Sequence, residues 1–254
     1  MAKRPPTRPD YIKWLLLAGA ACLVLALCGY LGWKYILPHS VNVSRYQYPV
    51  AGIDVSKFNG HIDYNAVRDD DYQFVVIKAT EGKTYKDPSF DRNYREAKEA
   101  GLKVGAYHFF RKNRTGEEQA ANMLAVVRDK KLDLPLVIDL EDPMPWSSGA
   151  SVDSKTAQRR VMEMAKCLTD NGYKVMIYTN VNGYEKYYQD MMEEYGLWLC
   201  SFTHPDKMSG KSHRIQQVSH EGSVNGVDGD VDIDVFIGSK WEWKKFLRES
   251  KPDN

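Results

Sequence analysis

The sequence predicts an α/β fold, a barrel related to the (β/α)8 type, preceded by one N-terminal transmembrane helix. Three observations lead there. Residues 14–33 form a run of 20 without a charge, WLLLAGAACLVLALCGYLGW. From Ala51 to Asn180, five short runs rich in Val, Ile and aromatics alternate with stretches of helical spacing, the pattern of a parallel sheet. Beyond Asn180, three more strand-like runs follow with mostly loops between them. About eight strands of this kind close most naturally into a barrel.

The uncharged run comes first along the chain. At about 1.5 Å per residue it reaches roughly 30 Å, the thickness of a bilayer core. Lys3, Arg4, Arg8 and Lys13 precede it, opposed only by Asp10. The positive-inside rule makes residues 1–13 a cytoplasmic basic tail and sends the rest of the chain outside. Trp14, Tyr30, Trp33 and Tyr35 lie near the ends, where an aromatic belt would sit. Residues 14–37 are therefore expected to be an uncleaved anchor. A cleaved signal peptide competes, but the run is long for one, and no good small-x-small site precedes Lys34. A lipoprotein signal ending at Cys22 or Cys28 is a third reading, although the residues before each fit a lipobox poorly. Residues 38–50, opening at Pro38, read as a tether.

The periodic sequence begins at Ala51, and residues 51–240 are expected to form the barrel. The expected strands are Ala51–Ser56, Phe74–Thr80, Lys103–Phe110, Leu134–Glu141, Lys174–Asn180, Leu197–Phe202, Arg214–Ser219 and Val231–Ile237. The expected helices are Asp91–Ala100, ending at Gly101, then Gly116–Lys131 and Asp153–Asn171. Residues 241–254 read as a C-terminal tail. An open doubly wound sheet is the alternative, weakened because no Gly-rich phosphate loop follows the first strand.

Charge narrows the function. The chain has 254 residues with a formal net charge of +1. Five basic residues and one acidic residue lie before Arg45, which puts +4 there and −3 in the remainder. A mildly acidic outer domain argues against a nucleic-acid partner. Four cysteines do not make a disulfide scaffold. Cys167 and Cys200 read as core thiols, with a bridge between them open outside the cytoplasm.

In parallel α/β folds the site lies at the C-terminal ends of the strands. Those ends carry Asp54, then Lys78, Thr80 and Glu81, then Tyr107 and His108. Asp139 and Glu141 follow, then Tyr178, Asn180, Trp198, Gln217, Asp232 and Asp234. Asp139 and Glu141 are two apart, so on a strand they share a face at roughly 6–7 Å. Two carboxylates that close cannot both ionise freely, which leaves one acid protonated beside one charged partner. Glycosidic bond cleavage needs that pair. Solvated loop acids or a metal site also fit the spacing. Burying acids directly after the apolar run PLVI is costly unless they are used. Asp54 alone fits a turn cap equally well. Tyr107, Tyr178 and Trp198 fit core aromatics as readily as sugar platforms. His108 has no spaced metal partner and reads as a core histidine.

Six segments occur in a recognisable order: AGIDVSKFNGHIDY, FVVIKATEG, DPSFDRNYREAKEAGLKVGAYHFF, LPLVIDLE, VMIYTN and VDIDVFIG. Together they resemble glycoside hydrolase family 25, lysozymes of the N-acetylmuramidase type, over about Ala51 to Gly238. The resemblance implies a flattened (β/α)5(β)3 TIM-like barrel. It implies hydrolysis of the β-1,4 bond between N-acetylmuramic acid and N-acetylglucosamine in peptidoglycan, with no metal and no cofactor. By the same resemblance Glu141 is the general acid, and Asp139 orients the substrate's own 2-acetamido group. Asp54 and Asp232 line the floor, while Tyr107, Tyr178, Glu81, Trp198 and Gln217 are substrate-binding positions. The later strands depart from the family pattern. LWxAxY reads Leu197-Trp198-Leu199-Cys200-Ser201-Phe202, WQYS reads Gln216-Gln217-Val218-Ser219, and the Asn after VD is Asp234.

The expectation is a single-pass enzyme of a bacterial inner membrane, with its catalytic domain in the periplasm against peptidoglycan glycan strands. A non-catalytic glycan-binding barrel and a chitinase-like glucosaminidase are the alternatives.

Overall fold

The computed structural model describes residues 11–35, 40–142, 152–188, 194–208 and 212–251, with the side chains of 11–12 and 30–35 left out. The chain divides into two units, residues 1–38 and 39–254. Most of the expected basic tail, Pro38, and the aromatics Tyr30, Trp33 and Tyr35 as side chains lie outside the described residues.

The first unit contains one helix, α1 (Tyr11–Tyr35). Its side chains are described from position 13 to 29, and Trp14, Leu15, Leu16, Leu17, Leu23 and Leu25 are all exposed. That stretch is about 26 Å long as a helix, against roughly 30 Å of bilayer hydrocarbon. Among the described residues no helix is long and apolar enough to cross a membrane.

The second unit is a closed barrel. Its strands are β1 (Ala51–Val55), β2 (Phe74–Glu81), β3 (Tyr85–Lys86), β4 (Lys103–Phe109), β5 (Leu136–Asp139), β6 (Val175–Asn180), β7 (Gly196–Cys200), β8 (Ile215–Gly222) and β9 (Val231–Phe236). Pairing runs β1-β9-β8-β7-β6-β5-β4-β2, and β1 with β2 closes the ring. β3 is an outrigger hairpin on β2. Neighbours from β1 round to β8 are parallel, whereas β9 is antiparallel to both β8 and β1. Helices α2 (Tyr64–Asp69), α3 (Phe90–Glu99), α4 (Gly116–Val127), α5 (Ser154–Asp170) and α6 (Val181–Gly183) follow the first five barrel strands. α6 runs straight into a π-helical turn, Tyr184–Tyr188. Among the described residues only a 3-10 turn, Pro205–Lys207, separates β7 from β8. Among the described residues, then, no α-helix stands between the strands from β7 to β9.

Alternation along the strands builds two apolar layers. Val75, Ile77, Val104, Ala106, Leu136 and Ile138 pack outward with Val67, Ala97, Met123, Val161 and Leu168 of the helices. Phe74, Val76, Val137, Met176, Ile215 and Phe236 form the second cluster, inside the ring. Local signals start the helices. Thr115 and Glu118 make a capping box at α4, and Asp153 caps α5 through the Thr156 N–H. Gly116 is required where α4 meets α5, because a Cβ there would lie 2.1 Å from the Arg160 carbonyl oxygen.

Two expected boundaries change. Part of the expected tether is packed, with Val41 N–H donating to Val218 O at 2.8 Å and Tyr48 and Val50 buried. The expected C-terminal tail contains α7 (Lys240–Glu249), capped by Ser239 and Glu242. Its Trp243 is 6% exposed and joins the inner cluster, 5.2 Å from Phe74 and 5.1 Å from Phe236 between ring centroids. The segment WEWKKFL hides this because its apolar residues fall within two turns and are interleaved with Glu242, Lys244 and Lys245. α2 and β3 were also not expected, being too short for a periodic signal. Cys167 and Cys200 are free thiols.

Trp243→Ala should cost about 3–5 kcal/mol of stability, as for other large buried aromatics. Urea denaturation of the variant against the parent chain measures it, and an unchanged midpoint would show that α7 is dispensable.

Candidate active site

The inner faces of the strands turn polar toward one end. On β2 the inward positions run Phe74, Val76, Lys78, and on β5 they run Val137 then Asp139, with Glu141 just past the strand. On β6 Met176 is followed by Tyr178, and on β8 Ile215 is followed by Gln217. β9 enters antiparallel, so Asp232 and Asp234 arrive at the same end ahead of Phe236. The result is an open cleft of about 180 Å³. Asp54, Lys78, Tyr107, Asp139, Glu141, Tyr178, Trp198, Gln217, His220 and Asp232 line it, with Ser56, Phe58 and Phe109. Eight of the nine residues expected at the site are therefore together.

Glu81 is the exception. It does not line the cleft. Its carboxylate accepts from Lys78 Nζ at 2.7 Å and from Arg111 Nε at 2.9 Å. Burial acts to raise its pKa, but the hydrogen bonds from Lys78 and Arg111 prevail and hold it below the usual carboxylate range. Glu81 fixes Lys78, which the cleft does use. His108 is a core histidine as expected. Burial pushes it down to about 4, and it sits between Thr80 Oγ1 at 2.7 Å and Gln119 Oε1 at 3.1 Å.

The floor is a hydrogen-bonded acid cluster. Asp54 on β1 lies directly across from Asp232 on β9, and Gly52 across from Asp234. Cross-strand partners sit roughly 5 Å apart, where like charges repel. Tyr178 O–H donates to Gln217 Oε1 at 2.8 Å, and this sets the Gln217 amide so that Nε2 donates to Asp54 Oδ2 at 2.6 Å. Trp198 Nε1–H donates to Asp234 Oδ1 at 2.9 Å. The Trp198 ring is 2% exposed and meets Tyr178 edge-on at 4.8 Å. Tyr178, Trp198 and Gln217 thus act mainly as the frame that holds the acids.

Burial raises the pKa of Asp54, Asp139 and Asp234 well above the ordinary value, and neighbouring carboxylates add to it. Glu141 is raised by burial too, with the positive charge of His220 opposing. Tyr107 is raised for the same reasons, by burial and then by Asp54, Asp139 and Asp232. Asp234 Oδ2 is buried and receives no donor. Burial, and then the charges of Asp54 and Asp232, favour the protonated form of Asp234. Asp139 Oδ1 is also buried without a donor. This leaves a free acceptor beside Glu141.

Backbone and loop contacts hold the two central acids. Phe110 N–H donates to Asp139 O, and Leu140 N–H to Tyr178 O, both at 2.9 Å. Asp142 accepts from Lys112, Lys186 and Tyr187 at 3.0, 2.9 and 2.9 Å, which ties down the chain just after Glu141. His220, Phe58 and Phe109 were not singled out from the sequence. Each depends on a local bend or a non-consecutive neighbour that spacing does not report. Among the described residues no group of three or more His, Cys, Asp or Glu side chains is arranged to hold a metal ion.

Asp234 supplies a stability test. Its folded pKa lies above the unfolded value of 3.8, so its contribution is full below 3.8 and is lost as pH rises through the folded value. Asn stays neutral at every pH and avoids that penalty. Asp234→Asn should therefore melt higher than the parent chain at pH 7, with the gain shrinking toward pH 4. Calorimetry across that range checks it, and a lower melting temperature at every pH would contradict a raised Asp234 pKa.

Comparison with known proteins agrees with this cleft. The family model described as Glycosyl hydrolases family 25 matches residues 53–227. The chain is 32% identical over 224 residues to the Escherichia coli O157:H7 protein YegX, covering 85% of this chain and 79% of that one. It is 34% identical over 185 residues to the autolytic lysozyme of Clostridium acetobutylicum, covering 73% of this chain and 55% of that protein, about half its length. A family 25 glycosyl hydrolase from Bacillus anthracis superposes with a TM-score of 0.74 at 28% identity, over 82% of this chain and 97% of that one. With the acids converging at one end of an eight-strand barrel, these likenesses show that the chain belongs to glycosyl hydrolase family 25 and is a glycoside hydrolase.

Proposed function

We propose that the chain is a muramidase, cleaving the β-1,4 bond between N-acetylmuramic acid and N-acetylglucosamine in peptidoglycan. The observation that carries this reading is the placement of Asp139 and Glu141 at the end of β5, two carboxyls of one cleft whose pKa values burial raises, so that the pair retains a proton. Glu141 protonates the glycosidic oxygen as the bond to the anomeric carbon breaks. Asp139 accepts from the N–H of the substrate's 2-acetamido group, whose carbonyl oxygen attacks that carbon. Water then opens the cyclic intermediate, and the Glu141 carboxylate takes its proton, which restores the acid. Asp54 and Asp232 would orient the sugar from the floor. The lysozyme among its relatives supports this substrate.

General acid catalysis contributes on the order of 10²–10⁴ in rate. Glu141→Gln should therefore lose at least about a hundredfold in release of reducing ends, with an unchanged melting temperature. Full activity in that variant would remove Glu141 from the acid role. Mass spectrometry of the products separates the readings. Reducing N-acetylmuramic acid ends support a muramidase, reducing N-acetylglucosamine ends a glucosaminidase, and binding without new ends a non-catalytic barrel.

We also infer that α1 is an inner-membrane anchor holding the barrel on the periplasmic side. The 20-residue uncharged run, its basic flank and its exposed leucines support this. The full chain expressed in bacteria should stay with the membranes through alkaline carbonate extraction and keep its N-terminal residues. Release into the supernatant, or a shortened mature N-terminus, would overturn it.

A further inference from the structure

We propose that His220 is a positioning residue of this cleft, bracing Asp232 and setting the proton affinity of Glu141 through its positive charge. The inference rests on the glycosidase reading of the same site. β8 is irregular on both sides of Ser219, with register shifts between Gln217 and Ser219 and between Ser219 and Gly222. Such bulges re-aim side chains near sites, and here His220 lines the cleft beside Asp232. Its Nδ1 is 2.7 Å from Asp232 Oδ1.

The ring is held on its other sides as well. Phe202 meets it edge-on at 4.8 Å, and Cys200 Sγ lies 3.7 Å from Nε2. Cys200 and Phe202 stand at the Ala and Tyr positions of the LWxAxY pattern, so two departures on that stretch both touch this histidine. Asp232 on β9, Glu141 after β5, Glu221 on β8 and Cys200 on β7 are the titratable groups around it. Burial opposes the imidazolium, but the hydrogen bond and charge of Asp232, then Glu141 and Glu221, raise its pKa above 6.5. In return its charge pulls Glu141 down against burial and Asp232. The general acid is thus kept from holding its proton too tightly to transfer it.

The test pairs kinetics with a direct titration. His220→Gln and His220→Ala should both move the alkaline limb of the kcat/KM profile on peptidoglycan upward, by about half a pH unit or more, because Glu141 loses a positive neighbour. His220→Gln keeps an N–H for Asp232 and should retain more kcat than His220→Ala. Profiles of both variants that overlay the parent profile would overturn the proposal. Histidine ring NMR of the full chain in detergent should show His220 titrating above 6.5, and lower in Asp232→Asn. Titration at or below 6.5 in the parent chain would also overturn it. The NMR arm needs no turnover. If the parent chain leaves peptidoglycan intact, the muramidase reading fails while the ion pair is still decided.

Discussion

The repulsion between buried carboxylates at one end of the barrel governs the rest of the site. Asp54 and Asp232 are cross-strand partners, Asp139 and Glu141 face the same space, and Asp234 is buried beside them. In a low-dielectric pocket these five groups cannot all carry charge. The structure answers with protons retained on Asp234 and its neighbours, with amide and indole donors from Gln217 and Trp198, and with His220 at the rim. Each of these frees or fixes one acid for chemistry. A cleft that keeps one carboxyl protonated beside a donor-free carboxylate oxygen is what glycosidic cleavage requires.

Such a cluster needs a rigid support. The apolar half of the barrel interior provides it, because several inward polar residues stand one alternation above a buried apolar one. Val137 lies below Asp139, Met176 below Tyr178 and Ile215 below Gln217. The helix after β9 contributes Trp243 to that same apolar cluster. The antiparallel entry of β9 then matters chemically. It delivers Asp232 and Asp234 from a strand running the opposite way, and so adds two acids to a rim otherwise built from parallel strand ends.

Much of the barrel was legible in the sequence. The eight strand runs, the three longer helices and the thinning of helices after Asn180 all follow from period-2 and period-3.6 patterning, which is a local property. Asp139 and Glu141 were legible because acids placed directly on an apolar strand have few structural uses. α2 and β3 were too short to show a period. α7 was hidden because its stripe, Trp243, Phe246 and Leu247, spans little more than one turn at the end of the chain.

What the sequence determined by itself was the composition of each strand end, and with it the likeness to a glycoside hydrolase family. Only the tertiary structure decided which strand ends meet. It placed Glu81 outside the cleft on Arg111 and Lys78, and buried Asp234 beneath Trp198 Nε1. It also brought His220 to Asp232 through a bulge. The physical reason is that proton affinity and side-chain aim depend on neighbours far apart in the chain. Asp54 and Gln217 are 163 residues apart in sequence and 2.6 Å apart in space.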